Sequence, residues 1–398
     1  MLSKRSAFPC SRTRLAIMAL FFSSGFTYAV WGVHVSLIKE KFHFSDGELS
    51  WALFAVAGGA ILAMGPIGRW IARVGSRRAC LWGGLALAAS AAGLMLMPST
   101  LALFALLLCF GAANSLFDVA MNAQAALLEK QSGRPLMSGL HGLFSLGGLA
   151  GAMAGSAWLG WQLPAWLIFA LTAAAVAALS VGTRRRLLTE PTSAHEHTPG
   201  HGLRRQLLLL GGLAFIGLVA EGGMYDWSAV YMRDGLSLEG VWVGLGYAGF
   251  SVGMTLGRFF GDRLRSHWGG QRTLQYSGLL VTLGILAALA LEAALPAVAG
   301  FALAGLGCAN FMPVLMSRAA HLPGIASAEA LALVGRLAYL GLLLGPVLIG
   351  FTAEHGGLSS GIGLVAVGGL IISLWSASAL RPPAAAVSTP LAGDAPHP

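Results

Sequence analysis

The chain has 398 residues, of which 56% are hydrophobic and only 10% are charged, and its formal net charge is +9. An ordinary soluble protein is about 25% charged, so this composition excludes a soluble fold with a normal polar surface. The basic residues stand between apolar runs and do not interleave with aromatic residues in a polar segment, which argues against nucleic-acid binding. We therefore expect a chain that lies largely in a lipid bilayer.

Apolar runs of about 20 residues, the length that crosses the hydrocarbon layer as a helix, follow one another along the chain. Helices are expected because the backbone of a lipid-exposed segment must satisfy its own hydrogen bonds, and no alternating strand pattern occurs. The first run is too long for the apolar core of a signal peptide, so we interpret it as an uncleaved helix. The sequence predicts twelve transmembrane helices, at residues 15–37, 49–71, 79–97, 101–128, 138–160, 164–182, 207–230, 241–260, 274–295, 297–316, 328–352 and 358–380.

The distribution of basic residues predicts the orientation of these helices. With the N-terminus inside, all but four of the 25 lysines and arginines fall on the cytoplasmic side or in cytoplasmic loops, as the positive-inside rule expects. The exceptions are Lys39, Lys41, Arg233 and Arg336. We therefore predict a multi-pass protein of a bacterial-type inner membrane, with both termini cytoplasmic.

The longest polar interruption divides the chain into two parts. We predict a six-helix half at 1–182, a cytoplasmic linker at 183–206, a second six-helix half at 207–382 and a disordered cytoplasmic tail at 383–398. The linker histidines have no cysteine or spaced acidic residue beside them, so we expect no metal site there.

Short patterns recur in the two halves in the same order and at nearly equal offsets, which indicates an internal repeat. In transporters, a parallel repeat of this kind surrounds a binding site near the membrane midplane. The matching pairs are Gly68-Arg69 with Gly257-Arg258, Ala113-Asn114 with Ala309-Asn310, and Gly147 and Gly151 with Gly341 and Gly345.

The loop after the second run reads Gly-Arg-Trp-Ile-Ala-Arg-Val-Gly-Ser-Arg-Arg from Gly68 to Arg78. It resembles the cytoplasmic signature of the major facilitator superfamily, although Ala72 stands where that family usually has an aspartate. A degenerate second copy begins at Gly257 and retains the acid as Asp262. The resemblance implies an all-α major facilitator fold, with twelve transmembrane helices in two six-helix bundles. The residues expected to lock the cytoplasmic face are Gly68, Arg69, Arg73, Gly75, Arg77, Arg78, Gly257, Arg258, Asp262 and Arg263.

Three polar residues of the fourth helix, Asn114, Asp118 and Asn122, are spaced four apart and share one face. A charged carboxylate at membrane depth is costly, so proton uptake by Asp118 is feasible near neutral pH. A structural aspartate bonded to neighbouring helices is the alternative. The region from Asp118 to Gly151 also resembles the fucose-permease-like branch of the superfamily, which implies a proton-coupling role for Asp118. Gly32 stands where that branch has a further acid.

Glu221 in the seventh helix is the second candidate for proton coupling. Arg336 in the eleventh helix is predicted to be the one deep cation and to pair with Asp118 or Glu221. The aromatic side chains of Tyr28, Trp31 and Tyr225 could stack on a sugar ring, and interfacial aromatic belts or core packing are the alternatives for them. The candidates for the substrate cavity are Tyr28, Trp31, His34, Asn114, Asn122, His141, Tyr225, Asn310 and Arg336.

These observations predict a secondary active transporter that works by alternating access, with proton-coupled movement of a small polar solute such as a sugar. Proton-driven efflux of a drug-like or metabolic compound is the alternative, and a transporter-like membrane sensor is a distant one. No metalloprotease, nucleophile-elbow or P-loop pattern occurs, so we expect neither an enzyme nor ATP-driven transport. We expect no cofactor, and a monomer whose partners are its substrate, protons and the lipid bilayer.

Overall fold

The computed structural model of the protein describes residues 11–44, 46–189, 201–238 and 241–380, and all regular structure in these ranges is helical. The centre of the predicted linker and the predicted tail at 383–398 lie outside the described residues.

Within these described ranges, twelve α-helices follow one another, with a short 3₁₀ turn after the third and a π-helical turn after the seventh. Their bounds are α1 Ser11–Phe42, α2 Asp46–Val74, α3 Ser76–Gly93, α4 Thr100–Ser132, α5 Met137–Gly160, α6 Ala165–Thr183, α7 His201–Val230, α8 Val241–Ala290, α9 Ala294–Cys308, α10 Phe311–Ala320, α11 Ser327–Gly356 and α12 Leu358–Leu380.

Among the described residues, 11 helical stretches are long and apolar enough to cross a membrane. One of them, Leu245–Ala290, has 46 residues and changes direction at Gly269, where φ is 77° and ψ is 164°. Glycine tolerates this backbone conformation because it has no Cβ. α8 therefore consists of two arms that each cross the membrane, while α9 and α10 together form one crossing, Ala294–Ala320. The prediction of twelve membrane-spanning helices is confirmed.

Several helices extend beyond the predicted apolar runs, because a helix does not need to end where the hydrocarbon layer ends. α7 begins at His201, so the last residues of the predicted linker are helical. The first arm of α8 continues to the turn at Gly269 instead of ending near residue 260. Arg258 therefore lies about 17 Å before the turn.

The first six and the last six helices pack in matching pairs, with α5 against α1 in the first set and α11 against α7 in the second. Gly147 of α5 faces the backbone of α1 so closely that a Cβ there would lie 2.0 Å from the carbonyl oxygen of Phe22. Gly341 of α11 faces α7 in the same way, 2.2 Å from the carbonyl oxygen of Phe215. Small residues allow such close approach between membrane helices, and these repeated glycines mark equivalent helix crossings.

We call the end of the bundle from which the segment after α6 leaves the linker end. Here Arg77 donates a hydrogen bond of 2.6 Å to the carbonyl of Arg184, and Thr13 of α1 donates one of 2.7 Å to the carbonyl of Arg186. The buried amide of Gln124 both donates to and accepts from the backbone of Leu188. The start of the connection between the sets is thus fastened to the first set.

The two sets of helices contact each other through α2 with α11 and through α5 with the first arm of α8. Among the described residues, side-chain hydrogen bonds join Glu129 and the start of α5 to Asp262, Arg265 and Ser317 close to the linker end. A further one joins Ser145 to Arg258 deeper in the bundle. The described conformation is therefore one in which the linker end is closed.

Candidate functional site

α4 carries the central polar stripe of the molecule, and its ends are well defined. The hydroxyl of Ser99 accepts a hydrogen bond from the backbone of Ala102, and Gly133 ends the helix with φ at 63°. Both are common capping devices of helices. Asp118 lies about 21 Å from the linker end of this helix, so the structure places it near the middle of the span.

The side chains of Asp118, Asn122 and His141 form a hydrogen-bonded chain from α4 to α5. The amide of Asn122 donates to the carboxylate of Asp118 at 3.1 Å and to its backbone carbonyl at 2.9 Å. The amide oxygen of Asn122 lies 3.2 Å from Nε2 of His141. This oxygen only accepts, so Nε2 carries the proton in the arrangement shown. Phe21 packs edge-on against the His141 ring at 5.5 Å.

A buried ion pair, Arg258–Glu221, lies beside this chain. Nη2 of Arg258 donates to Oε1 of Glu221 at 2.9 Å, and the two side chains are only 11% and 17% exposed. Nη1 of the same guanidinium donates to the hydroxyl of Ser145 in α5. Arg258 therefore connects its own set of helices to the other set. It is a second deep cation, where the sequence had predicted Arg336 to be the only one.

Tyr225 and Tyr28 lie beside these polar groups. The Tyr225 ring packs against Tyr247 at 5.2 Å and against Phe250 at 5.0 Å. Tyr28 of α1 is 43% exposed. Tyr339 of α11 is close enough to Asp118 and Tyr28 to interact with them electrostatically, which brings a residue of the second set to the stripe of the first.

Three predicted cavity residues instead take part in helix packing. Trp31 is 3% exposed and packs against Phe110, and His34 is 0% exposed and packs against Phe169. Asn310 is 1% exposed and donates to Ser277 of α8, at the break between α9 and α10. The structure does not bring these three side chains together with the Asp118 chain.

Arg336 lies on the side of α11 that faces α2. Its Nη1 is 3.8 Å from the position that a Cβ on Gly65 would occupy. Among the described residues it forms no ion pair, and Glu221 pairs with Arg258 instead. The predicted pairing of Arg336 with Asp118 or Glu221 is therefore absent from this conformation.

The start of α5 is held by carboxylates from both sets of helices. Glu129 of α4 accepts from the backbone N–H groups of Leu136 and Met137, at 2.8 and 3.0 Å. Asp262 of α8 accepts from those of Ser138 and Gly139, at 2.9 and 2.7 Å. The first N–H groups of a helix have no partner within the helix and carry partial positive charge, so two carboxylates stabilise this end strongly.

Glu129 also binds the second set directly. Arg265 donates to its Oε1 at 2.9 Å, Ser317 donates to its Oε2 at 2.5 Å, and Arg265 also donates to Ser317. Glu129 is 5% exposed, so the carboxylate at the centre of this network is largely buried. We call Glu129, Asp262, Arg265 and Ser317 the linker-end lock.

The first copy of the predicted signature lacks such a carboxylate, because Ala72 replaces the usual acid. Its contacts with the second set come from close packing, with Gly68 against Ala332 and the backbone of Glu329. Gly75 makes the turn between α2 and α3 with φ at 84°. Arg77 binds the segment after α6, as described above. The contacts between the sets are thus asymmetric. Carboxylates bind the start of α5, whereas the first copy of the signature contributes no carboxylate where it packs against α11.

Sequence reasoning singled out Asp262 but missed Glu129, Arg265, Ser317 and Ser145. Glu129 carried one local signal, since it is an acid at the end of a helix where basic residues dominate. The serines carried none, because their role depends on which residue of the other set faces them.

A family model of the Major Facilitator Superfamily matches residues 16–298. An uncharacterized MFS-type transporter of Yersinia pestis is 37% identical over 359 residues, covering 89% of this chain and 91% of the relative. The membrane protein MosC of Rhizobium meliloti is 31% identical, covering 91% of this chain and 88% of the relative.

Solved structures show the same fold. The transporter FucP in its outward conformation superposes with a TM-score of 0.75 at 14% identity, covering 92% of this chain and 98% of that one. The human organic anion transporter MFSD10 superposes with a TM-score of 0.71 at 15% identity, covering 92% and 99%.

Proposed function

The chain belongs to the major facilitator superfamily and is a membrane transporter rather than an enzyme, and we propose that it moves a small polar solute, such as a sugar, coupled to protons. The observation that carries this proposal is the polar chain of Asp118, Asn122 and His141 between α4 and α5. Hydroxyl-rich solutes need several donors and acceptors of this kind, placed close together in an otherwise apolar site.

Asp118 is the group that we assign to proton coupling. Among the described residues its carboxylate has an amide donor but no cationic partner. Burial without a counter-charge disfavours the ionised form, and proton binding relieves that cost. Protonating Asp118 would also change the carboxylate that accepts the hydrogen bond from Asn122. It would therefore alter the hydrogen-bonding groups that are available to a solute.

Glu221 is the second acid that we assign to coupling, through Arg258. The guanidinium contacts Glu221 in its own set and Ser145 in the other set. Protonating Glu221 would leave Arg258 without its counter-charge, which is costly for a buried cation. The contact between the sets would then change together with the protonation state, which is the requirement for linking proton binding to alternating access.

We assign the linker end to the cytoplasm, because most basic residues lie there. The closed linker end then corresponds to an outward-facing conformation, and the linker-end lock is the cytoplasmic gate. The predicted inner-membrane location and monomeric state complete this proposal.

Uptake measurements in proteoliposomes test the function. Labelled sugars and other small polar solutes are added outside, with and without an inward proton gradient imposed by a pH step. Accumulation that requires the gradient and collapses with a protonophore is the expected result. Export of a solute in exchange for protons would support the efflux alternative instead. Solute binding without any movement in either gradient would contradict the proposal and favour a sensor.

A further inference from the structure

Two cavities meet on the outer side of α1, near the linker end. The larger is a groove of about 550 Å³ between α1, α5 and α6, and among its described lining residues only Ser23 and Thr172 are polar. The smaller, of about 330 Å³, lies between the start of α1, the start of α5 and the first arm of α8. Met18 and Leu143 line both cavities, so the two adjoin.

The apolar groove has the length of one leaflet of a bilayer. Leu15 and Phe26 are the first and last residues of α1 in its lining, and they are about 16 Å apart along the helix axis. Half of the ~30 Å hydrocarbon layer is about 15 Å. Thr13, just before the groove, donates to the carbonyl of Arg186 at the linker end. The groove therefore starts at the linker end and reaches the middle of the membrane, as an acyl chain of that leaflet does.

The smaller cavity supplies positive charge where the groove begins. Arg14 of α1 and Arg263 of α8 both line it, and both are exposed. Neither forms an ion pair among the described residues, and the Arg263 guanidinium lies over the Phe260 ring at 6.0 Å. Asp262 is the one acid in the described part of this lining, and its oxygens accept from the first N–H groups of α5. The lining therefore has a net positive charge.

We propose that the two cavities together bind one anionic phospholipid from the leaflet at the linker end, with an acyl chain in the groove and the phosphate at Arg14 and Arg263. An apolar surface alone contacts bulk lipid without selecting a headgroup, whereas basic pockets between transmembrane helices recognise anionic headgroups. The planar N–H fork of arginine matches the oxygens of a phosphate. Neither cavity is lined by Asp118, Asn122 or His141, so this site is distinct from the proposed solute site.

Occupation of this site favours the closed linker end. Arg14 belongs to the first set and Arg263 to the second, so one headgroup meets both only while α5 and α8 are in contact. Phe259, which also lines the smaller cavity, marks this contact, because a Cβ on Gly142 of α5 would lie 3.4 Å from its ring. A ligand that binds one conformation shifts the population toward it. The lipid therefore regulates the conformation of the protein and is not its transported solute.

The headgroup contact is tested on the full-length purified protein in detergent. Phosphatidylglycerol and phosphatidylcholine with identical acyl chains are titrated, and binding is followed by native mass spectrometry. We expect phosphatidylglycerol to bind more tightly and Arg14→Gln/Arg263→Gln to weaken its binding at least about tenfold, because each arginine near an anionic lipid contributes about a fivefold change. The matched control, Arg12→Gln/Arg272→Gln, removes one exposed arginine from each of the same helices outside the cavity. Equal binding of the two lipids, or an equal loss in the control, would overturn the proposal.

The acyl-chain contact is tested by filling the groove. Ala175 of α6 is exposed and lines the groove, so a tryptophan there occupies the groove without entering the core. We expect Ala175→Trp to weaken the binding of phosphatidylglycerol. Ala174→Trp is the matched control, because Ala174 is also exposed but does not line the groove. Equal effects of the two substitutions, or binding of glycerol 3-phosphate as tight as that of the lipid, would overturn the proposed site.

Nanodiscs of phosphatidylglycerol or of phosphatidylcholine test the effect on conformation. Spin labels at the exposed positions Gln131 and Arg272 report the distance between the two sets. We expect shorter distances in phosphatidylglycerol, and no such difference between the lipids in Arg14→Gln/Arg263→Gln. Identical distances for the parent protein in the two lipids would overturn the regulatory role. None of these measurements requires transport, so they stand independently of the proposed function.

Discussion

Asp118 differs from the other buried acids in its surroundings. Glu221, Glu129 and Asp262 are matched by a guanidinium or by helix N–H groups, while the Asp118 carboxylate receives an amide N–H from Asn122. Asp118 thus has no counter-charge among the described residues that a change of its protonation state would have to break. It is therefore our first assignment for proton coupling, and Glu221, acting through Arg258, is the second.

We predict that Asp118→Asn abolishes accumulation driven by a proton gradient but preserves solute exchange. Asparagine resembles the protonated acid in shape and charge, so the solute site survives while proton binding does not. Uptake and counterflow in the same proteoliposomes measure the two activities. The matched control is Glu48→Gln, which lies in the first turn of α2, at the end of the bundle opposite the linker end. Full gradient-driven accumulation by Asp118→Asn would exclude this role.

The Glu221–Arg258 pair gives a second prediction at the residue scale. Removing one partner of a buried pair costs about 3–5 kcal/mol, because the other charge stays buried. We expect Glu221→Gln and Arg258→Gln each to lower the thermal unfolding midpoint, and the double variant to recover most of that loss without recovering transport. Unfolding in detergent and uptake in proteoliposomes measure the two effects. Additive destabilisation in the double variant would show that the pair is not coupled.

At the scale of elements, the start of α5 controls contact between the sets. Four consecutive N–H groups, from Leu136 to Gly139, are bound by Glu129 and Asp262. Losing a helix cap costs about 1 kcal/mol, and here the same bonds also join α5 to α8. The bonds that stabilise this helix end are therefore also bonds that hold the two sets together.

We predict that Asp262→Ala opens the linker end. Spin labels at the exposed positions Gln131 and Arg272 report the distance between the sets by electron–electron resonance. The variant should populate longer distances than the parent protein, because two hydrogen bonds between the sets are lost. Ser266→Ala, one turn further along α8, serves as the control, since its hydroxyl bonds only within its own helix. Identical distance distributions in Asp262→Ala and the parent would argue against a gating role.

The close helix crossings at glycines support another prediction at the scale of elements. A methyl group at Gly147 would collide with the carbonyl of Phe22 in α1, whereas Gly182 in α6 has open space around it. Alanine favours a helix over glycine by about 1 kcal/mol. We therefore expect Gly147→Ala to lower the unfolding midpoint and Gly182→Ala to leave it equal or higher. Equal effects of the two substitutions would contradict the packing at this crossing.

At the scale of the whole molecule, the two sets form a transporter whose described conformation is closed at the linker end. The orientation of the protein in the membrane decides whether this state is open to the periplasm or to the cytoplasm. We predict that reporter enzymes fused after residue 189 and at the C-terminus are active on the cytoplasmic side, and that fusions at the loop between α1 and α2 are periplasmic. A periplasmic linker would reverse the orientation and exchange the outward-facing and inward-facing states.

Much of the architecture could be predicted from the sequence, because a bilayer imposes simple rules on it. The number of spans follows from apolar length, and the polar stripe of α4 follows from the four-residue spacing of Asn114, Asp118 and Asn122. Both features are local, since they depend on residues within one helix. The repeated glycines were also visible, because the same helix crossing occurs twice.

Contacts between helices could not be predicted, since they depend on how each helix is rotated and placed against its neighbours. The Glu221–Arg258 pair joins residues 37 apart and the Glu129–Arg265 pair joins residues 136 apart, and no local pattern links either pair. Helix rotation also turns Trp31 and His34 into packing residues while leaving Tyr28 exposed. The sequence supplied the polar groups of this transporter, and the packing of its helices selected which of them face one another.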